Sequence, residues 1–322
     1  MAWRFEPGEG LQDAFRRVAA EEIARVRSGL SNPDADRNAV IHEARQGFKR
    51  LRALTRLAKP QLGADFDAEN RRWRDAGRLL SGSRDTTVLL ETFDKLVADG
   101  GAKVSPGDVG RLRSRIAATG ATNGAAENNN QVQEALGLLN DAEHAVARLR
   151  WPSSTRTLVR GLHKSQARLR RKWRKARETA EADALHSWRK CVKDQAAQLR
   201  LFRRVVHNGL RERRNEEKQA AEILGNEHDL WLLGERLAEM RLPQGPARAR
   251  DALRKEIEKH RDTLRREAFE KGETFSSEKP KSFAKAIGEA WVKASKRKVR
   301  KKRGKGRRAN AAARVSTTSP AP

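Results

Sequence analysis

The chain of 322 residues carries 70 Lys and Arg against 42 Asp and Glu, a formal net charge of +28 with a pI near 11.1, so it repels itself and attracts polyanions. A hydrophobic content of 37% can bury a core and excludes disorder throughout, while the length suits two ordinary domains or one duplicated unit. The single cysteine, Cys191, excludes an intrachain disulfide framework and a Cys-rich zinc site, and the lack of Tyr beside abundant Ala, Leu, Arg and Glu predicts an all-α protein.

The first ten residues, MAWRFEPGEG, lack the basic and apolar regions of a signal peptide, and no run of 18 apolar residues follows; a cytoplasmic protein with no membrane contact is expected. Breakers at Pro7-Gly8, Asn32-Pro33-Asp34, Pro60, Asp99-Gly100-Gly101, Ser105-Pro106-Gly107, Trp151-Pro152, Pro243 to Pro246 and Pro280 divide the chain. Between them lie stretches of helical periodicity roughly 15 to 25 residues long, which predicts ten or more helices. The small, polar stretch from Ala118 to Asn130 reads as a loop or a frayed helix end. From Lys293 to Arg308 there are 11 basic residues and no acid, and Arg314 adds one more, which leaves +16 on residues 1–292. Such a segment buries too little apolar surface to offset its ordering entropy, so disorder is expected from about residue 295.

An internal repeat organises the rest. IHEARQGFKRLRALTRL (Ile41 to Leu57) aligns with LHSWRKCVKDQAAQLRL (Leu185 to Leu201), matching His42, Arg45, Lys49, Arg56 and Leu57 to His186, Arg189, Lys193, Arg200 and Leu201 at an offset of 144. The same offset lays LLSGSRDTTVLL (Leu79 to Leu90) over ILGNEHDLWLLG (Ile223 to Gly234), pairing Leu80 with Leu224, Asp85 with Asp229 and Leu89 with Leu233. The duplication defines a first helical repeat over residues 1–150, a second over 151–292 and a basic tail over 293–322.

On a helix, His42, Arg45, Lys49, Arg52 and Arg56 follow a 3,4,3,4 spacing and form one stripe, beside an apolar stripe of Ile41, Ala44, Phe48 and Leu51. In the second copy His186, Arg189, Lys193 and Arg200 line up beside Leu185, Trp188, Val192, Leu199 and Phe202. Like charges one turn apart cost a few tenths of a kcal/mol per pair, so folding alone does not select them and an anionic ligand is expected to compensate. At the same offset Arg16 pairs with Arg160, Arg27 with Arg171, Lys59 with Arg203 and Arg74 with Lys218, a second tier of candidates. Asp85 and Asp229 read either as carboxylates that orient an Arg or His of the cationic helix or as helix N-caps. Trp73, Trp173, Trp188 and Trp231 sit among apolar positions and read as core.

The pattern H-x-x-R-x-x-x-K with further Arg, followed some forty residues on by a Gly-containing element that ends in Asp, all present twice, resembles the CHAD domain over residues from about 8 to 292. Departures are Ser81-Gly82 in place of Leu-Gly, His228 before Asp229, and Ala196 opposite Arg52, which concentrate charge in the first half. The resemblance implies two pseudo-symmetric four-helix bundles whose basic residues converge on a central groove that binds inorganic polyphosphate, with association with polyphosphate granules and no cofactor. The aromatic content of 5% agrees, since a chain of phosphates without bases asks for guanidinium and ammonium groups and no stacking platform. Phosphate beside His42 and His186 favours their protonation, so affinity is expected to rise as pH falls through about 6.5.

Enzymatic readings have weaker support. His228-Asp229 is the dipeptide of HD metal phosphohydrolases, but the repeat places Arg84, a poor ligand, opposite His228. His42-Glu43-Ala44-Arg45 lacks the second His of a zinc site, and neither a phosphate loop nor the E-x-E-x-K opening of a triphosphate tunnel enzyme occurs, so no catalysis and no metal are expected. The alternative class is non-specific nucleic-acid binding, with the tail as its main contributor.

Overall fold

The computed structural model describes the backbone of residues 3–80, 84–100, 104–118, 125–205 and 209–315, and the side chains of these except 84–85, 125–129 and 298–315. Among the described residues it is all helical: α1 (Leu11–Leu30), α2 (Arg37–Leu62), α3 (Asp65–Leu79), α4 (Arg84–Ala98), α5 (Pro106–Ala118), α6 (Ala125–Arg148), α7 (Thr155–Thr179), α8 (Ala182–Leu201), α9 (Leu210–Ala238), α10 (Gln244–Ser277) and α11 (Pro280–Val315). Local chemistry sets several starts. The Asp36 carboxylate accepts from the Asn38 N–H at 3.0 Å and opens α2, and Ser154 Oγ accepts from the Thr157 N–H at 3.2 Å and opens α7. Pro106 and Pro280 occupy first helical positions, where their missing N–H has no partner to lose.

Three expectations about elements change. Pro60 does not end a helix but lies in the last turn of α2, where its ring removes one hydrogen bond and only two residues follow. Helix resumes at Ala125, inside the stretch read as a loop or a frayed helix end, and of these two readings α6 supports the helix end from there on, with Ala125, Ala126 and Glu127 as good helix formers. The tail, expected to be disordered from about residue 295, continues α11 to Val315: Lys, Arg and Ala are good helix formers and no proline occurs between Pro280 and Pro320.

The offset of 144 that aligns the motifs also relates the starts of α1 and α7, at Leu11 and Thr155. The second copy of the Gly-containing element lies inside continuous α9, whereas α3 ends at Leu79 and α4 begins at Arg84 around Ser81-Gly82-Ser83. Asp229 is therefore not an N-cap, and the side chain of Asp85 lies outside the described residues.

Packing does not follow the halves. One core gathers α1, α2, α3 and α6 but also receives Leu158 and Leu162 of α7, Leu199 and Leu201 of α8 with Phe202, and Phe283, Ile287 and Trp291 of α11. Phe5 lies 4.9 Å from Phe15, 5.4 Å from Phe202 and 5.9 Å from Trp291, ring centre to ring centre, which seats the N-terminal segment between helices from both halves. A second core joins α7, α8, the first half of α9 and the end of α10 around Trp173, Trp188 and Phe275. A third joins α4 and α5 to the end of α9 and the start of α10, through Phe93, Ile116, Leu233 and Ile257. Helix α9 has 29 residues and spans about 43 Å at about 1.5 Å per residue, so its apolar stripe serves two cores. Buried Arg213 on α9 ties the second half together, donating to Glu217 (2.9 Å), Gln166 (2.8 Å), Gln195 (2.9 Å) and Glu278, with its guanidinium 4.3 Å from the Phe283 ring centre.

Candidate anion-binding cleft

Helices α2 and α8 bring their cationic stripes to one cleft. Gln198 Nε2 donates to the Ala53 carbonyl at 2.9 Å, and Arg56 Nη1 lies 2.6 Å from Asp194 Oδ2, so the two helices are pinned side by side. Helix α7 crosses α2 at Gly161, where an added Cβ would stand 2.0 Å from the Leu57 carbonyl oxygen; only glycine permits this approach. That crossing carries Arg168 to within 3.0 Å of Asp194. From α3, Arg74, which also pairs with Asp75 at 2.8 Å, adds its charge to the surroundings of Arg52.

The charges show how closely these groups converge. Lys49 is exposed to solvent at its surface yet crowded by protein, and desolvation together with Arg45, Arg189 and Arg52 lowers its pKa to about 8. Burial, helped by Arg56, Arg168 and Arg74 and opposed by Asp194, lowers Arg52 to about 10, so it stays charged at neutral pH. Burial lowers Lys190 as well, with Arg52 and Arg56 as neighbours. Arg189 is lowered by burial against the pull of Asp229 and Glu227. Its guanidinium lies on α9 at Gly225, where an added Cβ would meet Nη2 at 3.3 Å; the Gly-containing element thus seats an arginine of the cationic stripe. Asp229 lies close enough for its charge to act on Arg189, and its Oδ1 is 3.7 Å from Nδ1 of the adjacent His228. The His186 ring stacks on that of His228 at 4.2 Å, and burial, with His228, Lys190, Arg189 and Lys193 adding repulsion, lowers His186 to about 3.

Several buried polar atoms here have no partner: His42 Nδ1, Arg52 Nε, His186 Nδ1, Arg189 Nε and His228 Nδ1. Native proteins leave few such atoms unsatisfied; others occur elsewhere, on Arg16, Asn70 and Gln195 for example, but these five lie on or beside the α2 and α8 stripes, where ligand or water oxygens can satisfy them.

Of the residues read from the repeat, Arg45, Lys49, Arg52, Arg56, His186, Arg189, Lys193 and Arg74 come together, and His42 heads the α2 stripe. Arg200 lies beyond them, in a second cationic group with Arg50, Arg203 and Arg214. Arg27 is tied to Glu143 of α6 at 2.5 Å, Arg16 is near Asp13 at 3.7 Å, and Lys218 is exposed, 3.5 Å from Glu222. Arg160 is exposed on α7, and Arg171 lines a different groove. Conversely, Arg168, Lys190 and Asp194 belong to the cleft although the repeat comparison passes over them, because their counterparts are Ala24, Gln46 and Arg50. Trp73, Trp173 and Trp188 are buried as expected, while Trp231 is half-buried, 5.6 Å from the His228 ring.

Fold and cleft together define an all-helical protein in which two duplicated helices present one cationic surface. The chain belongs to the CHAD domain family, whose model matches residues 9–238. It is similar in fold to the crystal structure of the CHAD domain from the plant Ricinus communis, with a TM-score of 0.54 and 18% sequence identity over 91% of this chain and 95% of that one. No curated protein matches the chain in sequence. Among the described residues, no helix is long and apolar enough to cross a membrane.

Proposed function

We propose that the protein binds inorganic polyphosphate, without catalysis and without a cofactor, along the cleft between α2 and α8, and that this binding places it on polyphosphate granules in the cytoplasm. The observation that carries the reading is the convergence of Arg45, Lys49, Arg52 and Arg189, close enough that their repulsion adds to burial in lowering the Lys49 pKa to about 8. Such a site opposes its own charging until an anion enters. A flexible chain of phosphates supplies closely spaced negative oxygens that can follow the cationic stripes and take the place of the missing partners of Arg52 and Arg189 Nε. Among the described residues the lining is dominated by guanidinium and ammonium groups, with the half-buried Trp231 beside His228 as its nearby aromatic ring rather than a run of exposed stacking platforms, which favours polyphosphate over nucleic acid.

Titration of the full-length chain with long polyphosphate, short polyphosphate and single-stranded DNA at one salt concentration tests this. For about six neutralised phosphates, log K against log salt has a slope of about −4. Replacing Arg45, Lys49, Arg189 and Lys193 by Ala flattens that slope and weakens polyphosphate binding by several kcal/mol, while thermal stability holds or rises because like charges are removed. An unchanged isotherm for the folded variant removes the cleft from the site; equal losses for DNA and polyphosphate favour the nucleic-acid reading.

A further inference from the structure

Helix α7 carries cations on two sides. Arg168 turns to the cleft, 3.0 Å from Asp194, whereas Arg170, Arg171, Arg174 and Lys175 line a separate groove of about 520 Å³ that reaches Pro280, the first residue of α11. At about 100° per residue these four positions fan out on the side opposite Leu169, Trp173 and Ala176, which face the second core.

The groove differs from an ordinary solvated helix face. Among the described residues none of its four cations has a carboxylate within ion-pair distance, although their neighbours Arg168 and Arg177 are each 3.0 Å from one, on Asp194 and Glu273. Glu178 is the one acid in the lining. Arg170 with Arg174, and Arg171 with Lys175, are like-charged pairs one turn apart, an arrangement that destabilises the helix by itself. Arg170 Nε is buried and has no partner. The N-terminus of α11, with no acid in its first turn, adds its positive end to the same groove. The feature is also not a copy of the cleft. Its counterparts at the offset of 144 are Val26, Arg27, Leu30 and Ser31, and Arg27 is already tied to Glu143.

We propose that this groove is a second, independent site for phosphoryl oxyanions, which holds one short run of a polyphosphate chain while another run lies between α2 and α8. The ligand class rests on the proposed function; the location rests on α7 and α11 alone. One molecule then engages two segments, of one long chain or of two chains, and can draw chains together.

Sodium tripolyphosphate is too short to reach both sites at once, so calorimetric titration of the full-length chain at low salt is expected to show two equivalents. The triple variant Arg171→Gln, Arg174→Gln, Lys175→Gln changes only exposed side chains and is expected to retain one equivalent, with an affinity within about twofold of the parent's cleft site, since distant sites act additively. The cleft variant Arg45→Ala, Lys49→Ala, Arg189→Ala, Lys193→Ala is expected to retain the other. A parent that binds one equivalent, lost only in the cleft variant, overturns the second site and leaves the proposed function standing. One equivalent lost only in the triple variant supports the groove and overturns the cleft. Two equivalents unchanged in the triple variant, or a groove that takes single-stranded DNA in preference to tripolyphosphate, also overturns the proposal.

Discussion

Lys49 is poised near its titration point, brought to about 8 by burial, Arg45, Arg189 and Arg52. A bound phosphate chain favours the ammonium form. Below about pH 8 the free protein already carries that charge and affinity is flat; above it a proton must be taken up on binding, so affinity falls by up to about tenfold per pH unit. Titrations with polyphosphate on either side of pH 8 check this, and the Lys49→Met variant is expected to lose the decline; a parent-like decline in that variant assigns the proton to another group. His186 behaves differently from a solvated histidine. Held to about 3 by burial and by its stacked neighbour His228, it is neutral in the free protein near pH 6.5, so it contributes to a rise in affinity through that pH only where the bound phosphate raises its pKa by several units, with proton uptake on binding. Residues whose role depends on position in the repeat, such as Arg45 and Lys193, are legible from sequence. Arg168, Lys190 and Asp194 are not, because each has a different residue type at its counterpart and only the helix crossing brings it to the cleft.

At the scale of elements, the cleft depends on how closely α7 approaches α2. The Gly161→Ala methyl would stand 2.0 Å from the Leu57 carbonyl oxygen, and backbone on both sides leaves no flexible atom to yield. The two helices must part, at a cost of about 1–3 kcal/mol for overpacking, seen as a lower urea midpoint. Polyphosphate affinity falls with it, since Arg168 recedes from Asp194 and Arg56. An unaltered midpoint would mean that the crossing relaxes freely. Helical periodicity located most of these helices, and Pro60 shows its limit: a proline signals a boundary, but whether the helix ends there depends on how many hydrogen bonds follow it.

At the scale of the whole molecule, the charge divides between the surface built by α2, α7 and α8 and the basic run that ends the helical sequence. On the proposed function the first takes a bare phosphate strand, whereas the 12 charges of residues 293–315 attract any polyanion. Replacing the Lys and Arg residues between Lys298 and Arg308 by Gln is therefore expected to lower affinity for DNA and RNA much more than affinity for polyphosphate, measured with the full-length chain at one ionic strength. Equal losses would show that tail and cleft act as one undifferentiated basic surface.

Composition and periodicity by themselves determine that this protein is helical, basic, duplicated and equipped with two cationic stripes, because helix propensity, apolar spacing and charge are local properties of the chain. Tertiary structure alone decides that the stripes share one cleft, that α9 and α10 serve two cores, and that Arg27 and Arg171 leave the site their repeat partners suggested. The reason is physical. Which face of a helix meets which neighbour follows from close contacts such as Gly161 on Leu57 and Gly225 under Arg189, and from ion pairs that join residues 138 apart, as Arg56 joins Asp194. No spacing within either partner's own segment encodes those meetings.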